Sequence, residues 1–251
     1  MPPVGINEVA AAGFGAGAET YERGRPSYPE GVVATFCEEL GIGPGTTVVD
    51  LAAGTGKLTR LLVPTGATVI AVEPVEAMRA QLVALLPDVA VLDGTAEAIP
   101  LPDGSAGAVT VAQAFHWFDA QASLLEIARV LEPEGGLGLV WNERDESVPW
   151  VASLSDLLDW GSKRPYRRDQ DWAILVSESD RFTPLQHRRL SYLQELDADT
   201  LVQRALSTSY IAARPPEENV DLARSIRQLV AGFPERFELP YVTDVHWCRR
   251  T

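Results

Sequence analysis

Residues 48–62 read VVDLAAGTGKLTRLL. A hydrophobic run ends on an acid, Asp50, passes through Ala52, Ala53, Gly54, Thr55 and Gly56, and resumes as a helix-like pattern. Gly54 and Gly56 have no side chains, so the backbone can turn tightly there and a ligand can approach its N–H groups. A helix that starts at such a turn points its N-terminus at the ligand and favours negative groups. An acid that closes a strand stands at the carboxyl edge of the sheet, where doubly wound folds bind their ligands.

Working outward, short apolar runs alternate with helical patterns over 46–141. Residues 46–51, 68–73, 89–92, 106–112 and 136–141 are apolar with little alternation, as strands are when both faces of a parallel sheet are covered. Residues 75–86 and 121–131 read as helices; in the second, Leu124, Ile127, Ala128 and Leu131 share one face. Pro87 and Pro133 follow as stop signals. Such alternation means a parallel α/β sheet. Beyond Trp141 the rhythm changes. Residues 185–196 read as a strand, 217–231 as an amphipathic helix and FELPYVTDVHWCRR (237–250) as a closing strand. The expected organisation is a single domain: an N-terminal lid and helix over 1–45, a ligand-binding core over 46–142, a cap insertion over 143–184, and strands and helices over 185–251.

The second strand also ends in an acid, Glu73. A carboxylate at that place can accept both hydroxyls of a ribose, which points to a nucleoside-like ligand. The turn is not a dinucleotide fingerprint: A-A-G-T-G-K replaces G-x-G-x-x-G. Nor is it a P-loop, because Leu58 follows Gly56-Lys57 and the first glycine is missing.

With VVDLAAGTGKLTRLL stand VIAVEPVEAM (69–78), DGTAEAIPLPDGSAGAVTVAQAFHWF (93–118) and EIARVLEPEGGLGLVWN (126–142). Together they resemble the class I S-adenosylmethionine-dependent methyltransferases, and within them the type 11 methyltransferase domain and its relatives acting on small acids such as trans-aconitate. The match covers about residues 14–145. The resemblance implies a Rossmann-like, mostly parallel seven-stranded sheet in the order 3-2-1-4-5-7-6, helices on both faces, and a small helical cap. It also implies S-adenosyl-L-methionine as cofactor. Asp50, Ala52, Gly54 and Gly56 would wall in its methionine part. Glu73 would hold the ribose, with Pro74 beside it, and Met78 would pack on the adenine. Thr95 and Ala96 occupy the adenine-edge position, and Gln113 would contact the methionine end. YERGRPSYP (21–29) resembles a family segment that closes over the cofactor, so Tyr21 and Arg25 become cofactor candidates and Tyr28 a substrate candidate.

Two departures stand out. The family usually has Gly where Ala52 stands; a methyl group is tolerated if φ stays negative there. It usually has an Asp where Thr95 stands, and a hydroxyl is a weaker acceptor than a carboxylate, although Asp93 is near. In AFHWF (114–118), after the fourth strand, His116 is a candidate general base near neutral pH. Trp117, Trp141 and Asn142 lie at the same sheet edge as candidate pocket residues for substrate.

A net charge of −14 repels phosphate backbones and anionic lipid, so nucleic acid and membrane are poor partners. The basic run KRPYRR (163–168) reads as a solvated loop. Cys37 and Cys248 show no metal-ligand spacing and fit a reducing compartment, so no metal and a cytoplasmic location are expected. The first basic residue is Arg23, unlike a secretory signal, and no apolar run reaches the ~20 residues of a membrane span. The reading is an enzyme, a monomer or homodimer, that methylates a small molecule at oxygen, nitrogen or carbon by in-line attack. The alternatives are a methyltransferase-fold protein catalysing cyclisation or elimination, and a binding protein.

Overall fold

β-Branched and small apolar residues turn the stretches around the glycine turn into strands. The computed structural model describes residues 25–159, 171–212 and 214–251. Strands β1 (Thr47–Leu51), β2 (Thr68–Val72), β3 (Ala90–Leu92), β4 (Ala106–Ala112) and β5 (Leu131–Arg144) pair in parallel. β7 (Phe237–Arg249) runs antiparallel between β5 and β6 (Gln186–Leu196), giving the order β3-β2-β1-β4-β5-β7-β6. This is the Rossmann-like order that the resemblance implies. The chain leaves β1 toward β2 on one side and later resumes at β4 on the other. The switch point therefore lies between the carboxyl ends of β1 and β4, where a crevice opens.

Two helical layers cover the sheet. Helices α1 (Glu30–Leu40) and α2 (Thr59–Leu62) bury Val32, Phe36, Leu58 and Leu62 against Val48, Ala108, Val140 and Val245. Two glycines of β5 let α1 sit close. A Cβ at Gly138 would come within 2.6 Å of the Phe36 ring, and one at Gly136 within 2.6 Å of Leu40. Helix α3 (Glu76–Leu85) links β2 to β3. On the other face α4 (Ala120–Val130), capped by the Asp119 side chain on the Ala122 amide, packs Leu124, Ile127 and Ala128 on Val109, Val111 and Leu139.

A separate apolar cluster builds the cap. Helices α5 (Pro149–Leu157), α7 (Ala198–Leu206), α8 (Ser209–Ala212) and α9 (Pro216–Leu229) bury Val151, Leu154, Leu201, Ile211 and Ile226 with Leu239 and Tyr241. Helix α6 (Asp171–Glu178), which the sequence reading groups with the cap, instead packs Trp172 and Val176 on the sheet. The connection between β6 and β7 thus supplies most of the cap. The sequence reading placed its helix but not its packing partners, because an apolar stripe does not say which surface covers it.

Candidate active site

The turn after β1 is set by its buried acid. Asp50 is 1% exposed, and its carboxylate accepts the Thr59 hydroxyl at 2.6 Å and the Thr110 hydroxyl at 3.3 Å. Those bonds tie β1 to α2 and β4. Burial pushes the Asp50 pKa up to about 7, against the pull of the threonine hydrogen bonds.

Glu73 closes β2 and reaches across to the turn. Its carboxylate accepts the Gly54 N–H at 2.8 Å through one oxygen and the Val75 N–H at 2.9 Å through the other. Burial raises its pKa, while the two backbone donors oppose that rise. An ionised carboxylate has about four acceptor sites, so two remain for ligand hydroxyls. Arg79 braces this corner from α3. It donates to the Glu73 carbonyl at 2.8 Å and forms two bonds to the Asp93 carboxylate at 3.0 and 3.1 Å.

Beside this corner a cleft, partly open to solvent, is lined by Arg25, Tyr28, Ala52, Gly54, Lys57, Gln113, Asn142 and Arg204, among others. Gly54 has φ +57°, and a Cβ there would meet nothing within 4 Å, so the backbone faces open space. Gln113, with φ +58°, donates its side-chain N–H to the Asn142 carbonyl at 2.9 Å. Asn142 donates to Ser27 O at 2.8 Å and accepts the Thr243 hydroxyl at 2.6 Å, which fastens the segment before α1 to β5 and β7.

Residues 49–139 match the methyltransferase domain family. Over 235 residues the chain is 40% identical to a protein of Mycobacterium tuberculosis described as an uncharacterised methyltransferase, covering 92% of each. The chain belongs to the type 11 methyltransferase domain family. A methyltransferase-like protein of Schizosaccharomyces pombe is 34% identical over 221 residues, 85% of this chain and 84% of that one. A proposed type II methyltransferase of Anaeromyxobacter dehalogenans, 23% identical, has the same fold at a TM-score of 0.63, covering 90% of this chain and 97% of that one. The family makes this chain an enzyme and implies S-adenosylmethionine as its methyl donor.

In this methyltransferase Arg25, Tyr28, Ala52, Gly54, Gln113 and Asn142 come together on the cleft. Asp50 lies beneath the turn instead of on its surface, as its burial requires. Gly56, with φ +86°, packs toward helix α3: a Cβ would sit 3.0 Å from Leu82. Pro74, next to Glu73 in the chain, is partly buried. Met78 and Ala96 are 3% and 4% exposed and belong to the interior; with Thr95 they do not line the cleft. Asp93, near the adenine-edge position, is engaged by Arg79. Tyr21 and the basic run 163–168 lie outside the described residues.

Three expectations need correction. Ala52 has φ +54°, so the turn does not keep φ negative there and the methyl group is strained. Trp141 is no pocket wall: it is 5% exposed and stacks on Trp172 at 4.3 Å. Successive strand residues point to opposite faces, so with Asn142 on the cleft its neighbour must enter the core. His116 does not titrate near neutral pH: burial lowers its pKa to about 4, which makes it a weaker base than an ordinary histidine. It sits in the 3₁₀ turn Phe115–Trp117 against Trp117, with ring centroids 4.8 Å apart, and neither residue lines the cleft.

Sequence reading missed Arg79 and Arg204. The second left a signal: it stands among Leu201, Val202 and Ala205 on the apolar face of α7, where a guanidinium has no packing role.

Proposed function

We propose that this enzyme transfers the methyl group of S-adenosylmethionine to a small organic molecule bound in the cleft at the β1/β4 switch point. The observation that carries the reading is the Glu73 carboxylate held against the Gly54 amide at the carboxyl edge of the sheet. The cradle suits this cofactor: Gly54 opens the backbone, Glu73 retains acceptor sites for ribose hydroxyls, and Arg25 and Lys57 add positive charge to the cleft wall. Bound there, S-adenosylmethionine supplies a methyl group already activated by its sulfonium. The protein's task is then positioning, which accounts for much of the barrier in such transfers.

Among the described residues the cleft lining holds no carboxylate and no histidine. The acceptor proposed for this cleft is a small molecule, of the kind bound at such switch points. Calorimetric titration with S-adenosylmethionine and S-adenosylhomocysteine, followed by mass analysis of a compound panel for the gain of one methyl group, tests it. Absence of binding by either nucleoside would sink the reading.

A further inference from the structure

Among the described residues that line the cleft, Arg204 alone comes from the cap, on helix α7. The cap has an apolar cluster of its own, whose buried sheet residues, Leu196, Leu239 and Tyr241, all belong to β6 and β7. None belongs to β1 or β4, whose carboxyl ends frame the cleft. Arg204 therefore carries the cap to a site that other strands build. It is 6% exposed, and its Nε and Nη1 have no hydrogen-bond partner among the described residues. A guanidinium stays charged at any working pH, and leaving its donors buried and unpaired is costly. No carboxylate lines the cleft among the described residues, so an anion for those donors has to arrive with a ligand.

We infer that Arg204 binds the carboxylate of the cofactor's amino-acid arm and thereby clamps the cap to the sheet edge. This rests on the cofactor reading above. Adenine and the amino-acid arm leave the ribose from opposite ends of the sugar, so with the ribose on Glu73 only one of them enters the cleft. The arm, which ends in a carboxylate, suits a cleft with basic side chains and no acid. Arg25 and Lys57 also line it, but both already have partners, whereas Arg204 keeps unused donors. A planar carboxylate is the group for which the fork of guanidinium donors is shaped. The cofactor then bridges two separately packed parts of the molecule, with its nucleoside on the sheet edge and its arm on α7.

Two ligands separate the ends of the cofactor: S-adenosylhomocysteine, and 5′-methylthioadenosine, the same nucleoside thioether without the amino-acid group. Calorimetric titration of both is the test. Arg204→Met should weaken S-adenosylhomocysteine about tenfold to a hundredfold and change 5′-methylthioadenosine by less than about twofold. The second ligand also reports that the variant is folded. Arg204→Lys keeps the charge without the fork and should fall between for S-adenosylhomocysteine. Amide hydrogen exchange in α7 should slow when S-adenosylhomocysteine binds the wild type, but not with 5′-methylthioadenosine and not in Arg204→Met. An unchanged ratio of the two affinities in Arg204→Met overturns the inference, whether both are kept or both are lost, because Arg204 would then only shape the cleft. Equal protection of α7 by the two ligands overturns the clamp. If the wild type binds neither nucleoside, the cofactor reading falls and this inference falls with it; if it binds both and Arg204→Met does likewise, the inference alone falls.

Discussion

The carboxylate of Glu73 accepts the amide of Gly54 at 2.8 Å, so the end of β2 holds the turn that follows β1. That side chain shapes the cradle, and in the proposed function it also receives the ribose hydroxyls. From sequence alone, Glu73→Ala would be expected to spare folding, as a solvated strand-end acid supports little packing. The structure changes that expectation, because Glu73 is 5% exposed and both its oxygens serve backbone donors. Leaving two such donors unpaired should cost about 2–4 kcal/mol in urea unfolding. Loss of ribose hydrogen bonds should also weaken S-adenosylmethionine binding by roughly tenfold to a thousandfold. Glu73→Gln, which keeps one acceptor oxygen, should fall between on both measures. Glu76→Ala, exposed at the start of α3, is the control and should match wild type.

Ala52 pays a conformational cost at φ +54° that glycine avoids. Ala52→Gly should raise stability by about 0.5–1 kcal/mol, the relief of strain exceeding the extra entropy of the unfolded chain. Chemical denaturation with an unchanged m-value checks this. Gly56→Ala should go the other way, losing about 1–3 kcal/mol, since φ is +86° and Leu82 lies 3.0 Å from the added methyl.

Asp50 supplies a pH dependence whose sign follows from its burial. Its pKa is raised from 3.8 to about 7 in the folded state. Between those values the unfolded chain releases the proton and the folded chain keeps it. Its contribution to stability is therefore present below the lower value and is lost as pH rises through the upper one. The stability of wild type minus that of Asp50→Asn should accordingly fall between pH 4 and 7, by an amount on the order of 2–4 kcal/mol. A difference that rises with pH would show that the threonine hydrogen bonds outweigh desolvation.

His116 and His246 are both held near a pKa of about 4, chiefly by burial. Each stays neutral in the fold while the unfolded chain protonates near 6.5. Stability from this pair is therefore present above the unfolded value and is lost as pH falls toward 4. Histidine ring proton shifts followed by NMR should leave both residues untitrated at pH 5.5. Titration of His116 near 6.5 would restore it as a candidate base.

What the residues of the chain determined without any fold in view was the alternation of strands and helices and the position of the glycine turn. The apolar strands, the A-A-G-T-G turn and the acid ending the second strand all act locally. Period and turn chemistry are properties of a few consecutive residues, so they can be read in line. Tertiary structure alone decided which of those residues face the cleft. Asp50 and Glu73 look alike in sequence, each an acid ending a strand, yet one is sealed under Thr59 and Thr110 and the other grips the turn. Trp141 and Asn142 are adjacent, and pleating sends one to Trp172 and the other to Ser27. Arg204 is 147 residues from Lys57 along the chain, and only the docking of the cap on the sheet brings both to one cleft. Burial and proximity are sums over the whole fold, so the pKa of His116, the strain at Ala52 and the exposed donors of the cleft had to wait for it.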